Sequence, residues 1–361
     1  MAFTIDLKKA RLVIKMANSR RHHLNDIIGK NITEILSSPH KTYKYILVTA
    51  LLSKATDGRI DILSLQSQDE SEGAYNARDV AHEVIVKFER KEYPYSLGNS
   101  NEPFLNNPAR TPRLSLENKV RGKKNKALLK LLINTLSSID TSAKAFSYLC
   151  SAIKDMEMLS NEIQYKYSAE EFDFKGNKNL QSILDFISLL TDESMEGEVC
   201  PLIVSVLEQK YLGNEVIVEP HKVNEAGDSP REVGDIDVFD IDNKLITSIE
   251  VKDKDFSEED VGHAIRKFIA AHLTRSMFIY GKNVKWDKTS VFQLVARIGR
   301  TGHYCCVISI IDYAKLILFE LNVDYTLKEF CEDILHNAKL IEVHDTTIMW
   351  IKESLKRYLA E

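Results

Sequence analysis

Residues 234–255 read GDIDVFDIDNKLITSIEVKDKD, and their alternation decides the fold. Asp235 to Phe239 has the pattern of a strand, Asp240, Asp242 and Asn243 are turn formers, and Leu245 to Val251 is a second, β-branched strand. The stretch therefore predicts a β-hairpin. Successive side chains on a strand point to opposite faces, so Leu245, Thr247, Ile249 and Val251 share a face suited mostly to a core. Ile246, Ser248, Glu250 and Lys252 share the other face, which ends in a carboxylate beside an ammonium. The partner strand opens with Asp235 and Asp237. Three or four acidic groups gathered at one strand end repel one another unless a cation joins them, and a hard divalent cation prefers oxygen ligands. The hairpin outlines a divalent-metal site.

A chain of 361 residues can bury a large core and is expected to form two domains, here 1–175, mainly helical, and 176–361. Hydrophobic residues at 44% and charged residues at 28% are those of an ordinary globular protein. No run of eighteen apolar residues offers a membrane span. The first residues, MAFTIDLKKARLVIKMANSRRHH, lack the apolar core of a signal peptide, so a cytoplasmic location is expected. Five cysteines without a CxxC pair argue for reduced thiols and against zinc. A net charge of −5 disfavours a non-specific nucleic-acid coat protein but permits an enzyme with acidic ligands and a local basic groove.

Upstream of the hairpin, residues 1 to about 66 read as helical, with Tyr43–Ala55 apolar enough for a buried helix. Gln66–Gly73 is a polar loop. In the segment from Ala74 to Arg90, Val80, Val84 and Phe88 fall on one helix face, although VIVKF is also strand-like. Tyr93–Pro112 is dense in Pro, Gly and Asn, a long loop of the kind that is often functional. From Arg110 to Lys126 seven basic residues face one acid, Glu117. Such a run is often a solvated surface, but arginines beside prolines also suit a phosphate-contacting arm. Helices are expected at Lys126–Ile139, Ser142–Met158, Asn179–Leu190 and Glu196–Leu212. A strand at Val216–Val218 and a loop over 221–232 deliver the chain to Gly234. Downstream, Ser257-Glu258-Glu259-Asp260 is a capping-box signature opening an amphipathic helix. Strand 277–280, helix 291–300, strand 305–310 and two helices, 327–338 and 346–360, complete a mixed sheet flanked by helices.

A lone Glu-x-Lys carries almost no information. At the end of a hydrophobic strand, opposite Asp235 and Asp237 and followed by a capped helix, Glu250-Val251-Lys252 resembles the PD-(D/E)xK nuclease superfamily. Gly234 stands where the motif has Pro. The segments YILVTALLSKATDGRIDILSL, ARDVAHEVIVKF, LGNSNEPFLNNPAR and GDIDVF…SIEVKDKDFSEEDVGHAIRKF further resemble Type II restriction endonucleases of the SacI-like group. That likeness implies an α/β, restriction-endonuclease-like catalytic domain. It also implies Mg²⁺-dependent cleavage of double-stranded DNA to 5′-phosphate and 3′-hydroxyl ends.

The resemblance implies Mg²⁺ held by Asp235, Glu250 and the Val251 carbonyl, with Lys252 acting on the attacking water. Asp235 fits the pattern of Asp, aliphatic, any, aliphatic; Asp237 points the same way and stays open as a second ligand or a substitute. Relatives often draw a further carboxylate from the helix before the hairpin, so Glu198 and Glu208 are auxiliary candidates, as is His263 on the helix after it. For base reading, arginine suits guanine and asparagine suits adenine. Arg78, Arg110 and Arg113, with Asn106 and Asn107, are therefore expected to read sequence, and Lys119, Arg121, Lys123 and Lys124 to touch phosphates. A palindromic site, GAGCTC-like by the same resemblance, implies a homodimer. A restriction–modification system implies a cognate DNA methyltransferase but no contact with it. A repair or junction-resolving nuclease, or a non-catalytic DNA-binding protein on the same fold, is the alternative.

Overall fold

The computed structural model describes residues 3–174, 179–222 and 232–360. Most of the loop read over 221–232, and part of the connector before Asn179, lie outside the described residues. The chain divides into two compact units, Met1–Tyr165 and Lys166–Glu361. The division falls in the last turn of a long helix, whereas sequence reading placed it at 175.

The first unit is helical. It runs through α1 (Leu7–Ser19), α2 (Ile27–Leu36), α3 (Lys41–Thr56), α4 (Ala77–Val80), α5 (Lys87–Glu92), α6 (Gly122–Ser137) and α7 (Ser142–Lys166). α3 has no polar face, and accordingly Tyr45 through Ser53 are buried on all sides. The ambiguous VIVKF stretch is helical. A π-helical turn, Ala81–Val86, joins α4 to α5, and Val80, Val84 and Phe88 all enter the core. Asn76 caps the start of this segment.

The long loop between α5 and α6 is tied down from beneath. Glu89 is fully buried and accepts hydrogen bonds from the Tyr45 hydroxyl and from the backbone N–H groups of Leu97 (2.8 Å) and Asn99 (3.0 Å). The same Tyr45 hydroxyl accepts from the N–H of Ser100 at 2.8 Å. A second set of ties joins its far end to the loop before α4. Leu65 N and Gln66 N both donate to the Pro112 carbonyl, and Leu114 N donates to that of Leu63.

The second unit contains a five-stranded sheet in the order β1 (Val216–Pro220), β2 (Ile236–Asp240), β3 (Leu245–Lys252), β4 (Arg275–Tyr280) and β5 (Tyr304–Ser309). β1, β2 and β3 are antiparallel neighbours, and β4 and β5 run parallel to β3. The change follows from the connections. A short turn reverses the chain between β2 and β3, where Asn243 adopts φ 64°, whereas α10 (Glu258–Ala270) and α11 (Lys288–Gly299) carry it back for parallel pairing. The Ser257 capping box with Asp260 forms as the sequence predicts.

Alternation along the strands supplies two cores. Ile236, Ile249, Val251 and Ile279 pack with α8 (Leu180–Leu190), α9 (Val199–Leu212), α12 (Ile310–Glu320), α13 (Leu327–Leu340) and α14 (Asp345–Ala360). Phe278 and Cys305 face the other way, onto Val261, Ile265 and Phe268 of α10 and Val291 of α11. α12 is absent from the sequence reading, which continued β5 to Ile310. In VISIIDYAKLILFEL, Ile310, Tyr313, Ala314, Ile317 and Leu318 recur at helical spacing and are the buried residues of α12, but the apolar Ile311, Leu316 and Phe319 between them mask that period. The structure ends the strand at Ser309, whose hydroxyl accepts from Asp312 N and starts the helix. All five cysteines are unpaired, and among the described residues no helix is long and apolar enough to cross a membrane.

Glu89→Ala leaves one hydroxyl and two N–H groups without their acceptor, at a cost of about 3 kcal/mol. Chemical denaturation should show that loss, and amide exchange should rise at Leu97 and Asn99.

Candidate active site

Gly234 and Asp235 enter β2 against the end of β3. Asp235 N donates to the Ile249 carbonyl at 3.0 Å, and its own carbonyl accepts from His221 N at 2.8 Å. The approach is close enough that a Cβ on Gly234 would lie 2.4 Å from Ser248 Oγ and 2.7 Å from the Ile249 carbonyl oxygen. That contact explains why glycine occupies the position.

The two aspartates have different surroundings. Asp237 pairs with Ser248 across the hairpin and is fully buried. Its carboxylate accepts from Ser248 Oγ (2.6 Å), Val233 N (2.9 Å) and Gly234 N (3.2 Å), and pairs with His221 Nε2 (2.9 Å). Burial works to raise its pKa, but the hydrogen bonds from His221, Ser248 and the two backbone groups outweigh it and hold the carboxyl below its usual range. Its oxygens are spoken for. Asp235 instead accepts from Val251 N at 2.7 Å through Oδ2, and it lines an open cavity of about 330 Å³.

Glu250, Val251 and Lys252 line the same cavity. Glu250 lies on the α10 face of the sheet, and Lys267 of α10 brings its Nζ within 3.8 Å of Glu250 Oε2. Lys252 Nζ lies 3.9 Å from Oε1. Neither distance is a hydrogen bond, and Glu250 Oε2 is buried without a donor. Burial, followed by repulsion from Asp235, pushes the Glu250 carboxyl up to about 7, against the pull of Lys267 and Lys252. Burial likewise raises Asp235. Two crowded carboxylates with one unsatisfied buried oxygen suit a hard cation that takes oxygen ligands and keeps part of its water shell, as Mg²⁺ does. The three or four converging acids expected from the hairpin are not gathered. Among the described residues no cluster of three or more His, Cys, Asp or Glu is placed to hold a metal ion.

The auxiliary candidates lie elsewhere. Glu198 is buried under α14, accepting from His344 N, Thr347 Oγ1 (2.5 Å) and pairing with His344 Nδ1. Glu208 accepts the Tyr313 hydroxyl at 2.5 Å in the core behind the sheet. His263 is exposed on α10. The sequence analysis gave no role to Lys267 or to Glu196. Glu196 lines the cavity from a turn in which Met195, Glu196 and Gly197 all have positive φ (47°, 58° and 87°). Lys267 could have been found from the helix period, since α10 packs on the face that carries Glu250. The turn had no such signal, because a regular helix was expected from Glu196.

In the first unit, Asn106, Asn107, Arg110, Lys119 and Arg121 line a single concavity of about 530 Å³. Arg110, Lys119 and Arg121 have no carboxylate partner among the described residues, and neither do Lys123 and Lys124, exposed at the start of α6. Two of the expected base readers are already engaged. Arg78 pairs with Glu102 at 2.5 Å, and Arg113 binds Asp61 and Asp69.

A mixed sheet with helices on both faces, preceded by a mainly helical unit, is a restriction-endonuclease-like architecture. Residues 7–160 match the SacI restriction endonuclease N-terminal domain, and residues 177–282 match the SacI restriction endonuclease C-terminal domain. Together the matches span most of the chain, which belongs to the SacI restriction endonuclease family and is a nuclease acting on DNA. No individually curated protein matches it.

Asp237→Asn disrupts a buried, charge-assisted cluster and should lower the unfolding free energy by about 3–5 kcal/mol in denaturant titrations. Glu250 has the opposite sign. Its folded pKa of about 7 lies above the ordinary 4.5, so the stability tied to it is present at low pH and is lost as pH rises from 4.5 to 7. Glu250→Gln, measured in chelator, should raise the melting temperature near pH 8 and leave it nearly unchanged near pH 4.5.

Proposed function

We propose that this chain is a Mg²⁺-dependent Type II restriction endonuclease of the PD-(D/E)xK kind, cutting both strands of DNA at a specific sequence to leave 5′-phosphate and 3′-hydroxyl ends. One observation carries the reading. Asp235 and Glu250, a repelling carboxylate pair with one orphaned oxygen, share a cavity with Lys252 in a chain of the SacI family.

Asp235, Glu250 and the Val251 carbonyl are the groups that would hold Mg²⁺. When bound, the ion supplies charge stabilisation at the phosphate oxygens and acidifies water. The protein's own groups do the rest. Lys252, beside Glu250, orients a water for in-line attack and takes or offsets its proton, or meets the charge that develops on the phosphate. Lys267 offsets part of the charge on Glu250. In the first unit, Arg110 and Asn106–Asn107 serve base recognition, and Lys119, Arg121, Lys123 and Lys124 contact phosphates. A palindromic, GAGCTC-like target read by two copies of the chain, in a bacterial cytoplasm protected by a cognate methyltransferase, completes the reading.

Incubation of the purified protein with unmethylated phage DNA and Mg²⁺ should yield discrete fragments. A smear or nicking governed by DNA structure would indicate another nuclease, and a mobility shift without cleavage a binding protein. Lys252→Ala should reduce cutting by at least about 10²- to 10³-fold while sequence-specific binding persists. Asp235→Asn should do the same without the stability loss expected of Asp237→Asn, and wild-type cutting by either variant would show that the site is wrongly placed.

A further inference from the structure

A second cavity in the first unit, of about 350 Å³, adjoins the basic concavity through Arg110, which lines both. Its polar wall includes Gln66, Gln68 and Asn76, none of which the sequence reading singled out. The amide orientations follow from chemistry. A carbonyl oxygen only accepts, so the contact of 2.8 Å between Gln66 and the Arg110 carbonyl requires the Gln66 NH₂ group at that point. Gln66 Oε1 is then the acceptor for Gln68 Nε2, at 2.5 Å. That leaves the exposed Gln68 amide with its second N–H and its Oε1, a donor beside an acceptor. Adenine offers the complement in the major groove, an N7 acceptor beside an N6 donor.

The ledge that carries Gln66 and Gln68 is braced. Leu65 N and Gln66 N are held by the Pro112 carbonyl, and Asp69, one residue beyond Gln68, accepts from Ser71 Oγ at 2.6 Å. Arg113 bridges Asp61 and Asp69, both largely buried, and so ties the two ends of the segment together. Both contacts are made through Nη1, so the two carboxylates offset the guanidinium's charge and fix its head group against the ledge.

We propose that Gln68, buttressed by Gln66, reads an adenine edge of the target, and that Arg113 is a positioning residue for this ledge rather than a base reader. The proposal rests on the reading of the chain as a sequence-specific nuclease, and its failure is separable from that reading. The recognition sequence is first obtained by sequencing the fragment ends from wild-type digests; absence of discrete ends sinks the functional reading. Cleavage is then compared on duplexes carrying each single base-pair change.

Gln68→Leu and Gln66→Leu should cut the intact site roughly 10- to 100-fold more slowly and lose discrimination at one and the same A·T position, keeping it elsewhere. Gln68→Glu, which retains the acceptor but no donor, should behave like Gln68→Leu. Binding to unrelated duplex should stay within about twofold, showing that the variants are folded and that the phosphate contacts are intact. Arg113→Lys should relax that same A·T position and leave the salt dependence of binding unchanged, whereas loss of a phosphate contact would lower its log–log slope by about 1. A recognition sequence without an A·T pair, full discrimination retained by both glutamine variants, or relaxation of a G·C position by Arg113→Lys would each overturn the proposal.

Discussion

The buried carboxylate of Asp237 sets the geometry of the candidate active site. It gathers the imidazole of His221 from the end of β1, the hydroxyl of Ser248 from β3, and the N–H groups of Val233 and Gly234 from the chain entering β2. Three segments of backbone are thereby fixed around one charge. With Gly234 pressed against the Ile249 carbonyl, Asp235 has a single path, across the end of β3 with its carboxylate on Val251 N. A charge fully withdrawn from water is tolerated there because every contact to it is a hydrogen bond and one partner is a histidine whose pKa it raises.

That arrangement divides the work between two aspartates two residues apart. Asp237 is satisfied and holds the hairpin in place. Asp235 is less satisfied and faces a second carboxylate that burial has already made reluctant to ionise. Crowding of this kind costs stability and marks sites that hold charge for a purpose. The ammonium groups of Lys252 and Lys267 relieve it only in part, since both remain beyond hydrogen-bonding distance of Glu250.

The first unit shows the same division between bracing and reaching. Glu89 under the long loop and Arg113 between two aspartates are charges used internally. Arg110, Lys119 and Arg121 are left facing solvent around one concavity. A basic run therefore does not act as a block, and its members separate according to which of them find acids within the fold.

The sequence by itself determined the hairpin, the capped helix after it, the chain order of the five strands with the two helices that connect β3, β4 and β5, and the likeness to a nuclease family. These depend on short-range chemistry: period two in the strands, left-handed geometry at Asn243, and a Ser–Asp capping box. It did not determine where the largely apolar stretch 305–320 changes from strand to helix, because apolar residues on the exposed side of α12, such as Leu316 and Phe319, obscure the helical period. It did not separate Asp235 from Asp237 either, since alternation gives them the same face and only His221, Val233 and Ser248 distinguish them. Glu198 beneath α14, Lys267 beside Glu250, and Arg113 between Asp61 and Asp69 were likewise decided by partners distant in sequence. Tertiary structure decided these assignments because a charge takes its role from whatever partner the packed chain brings within about 4 Å.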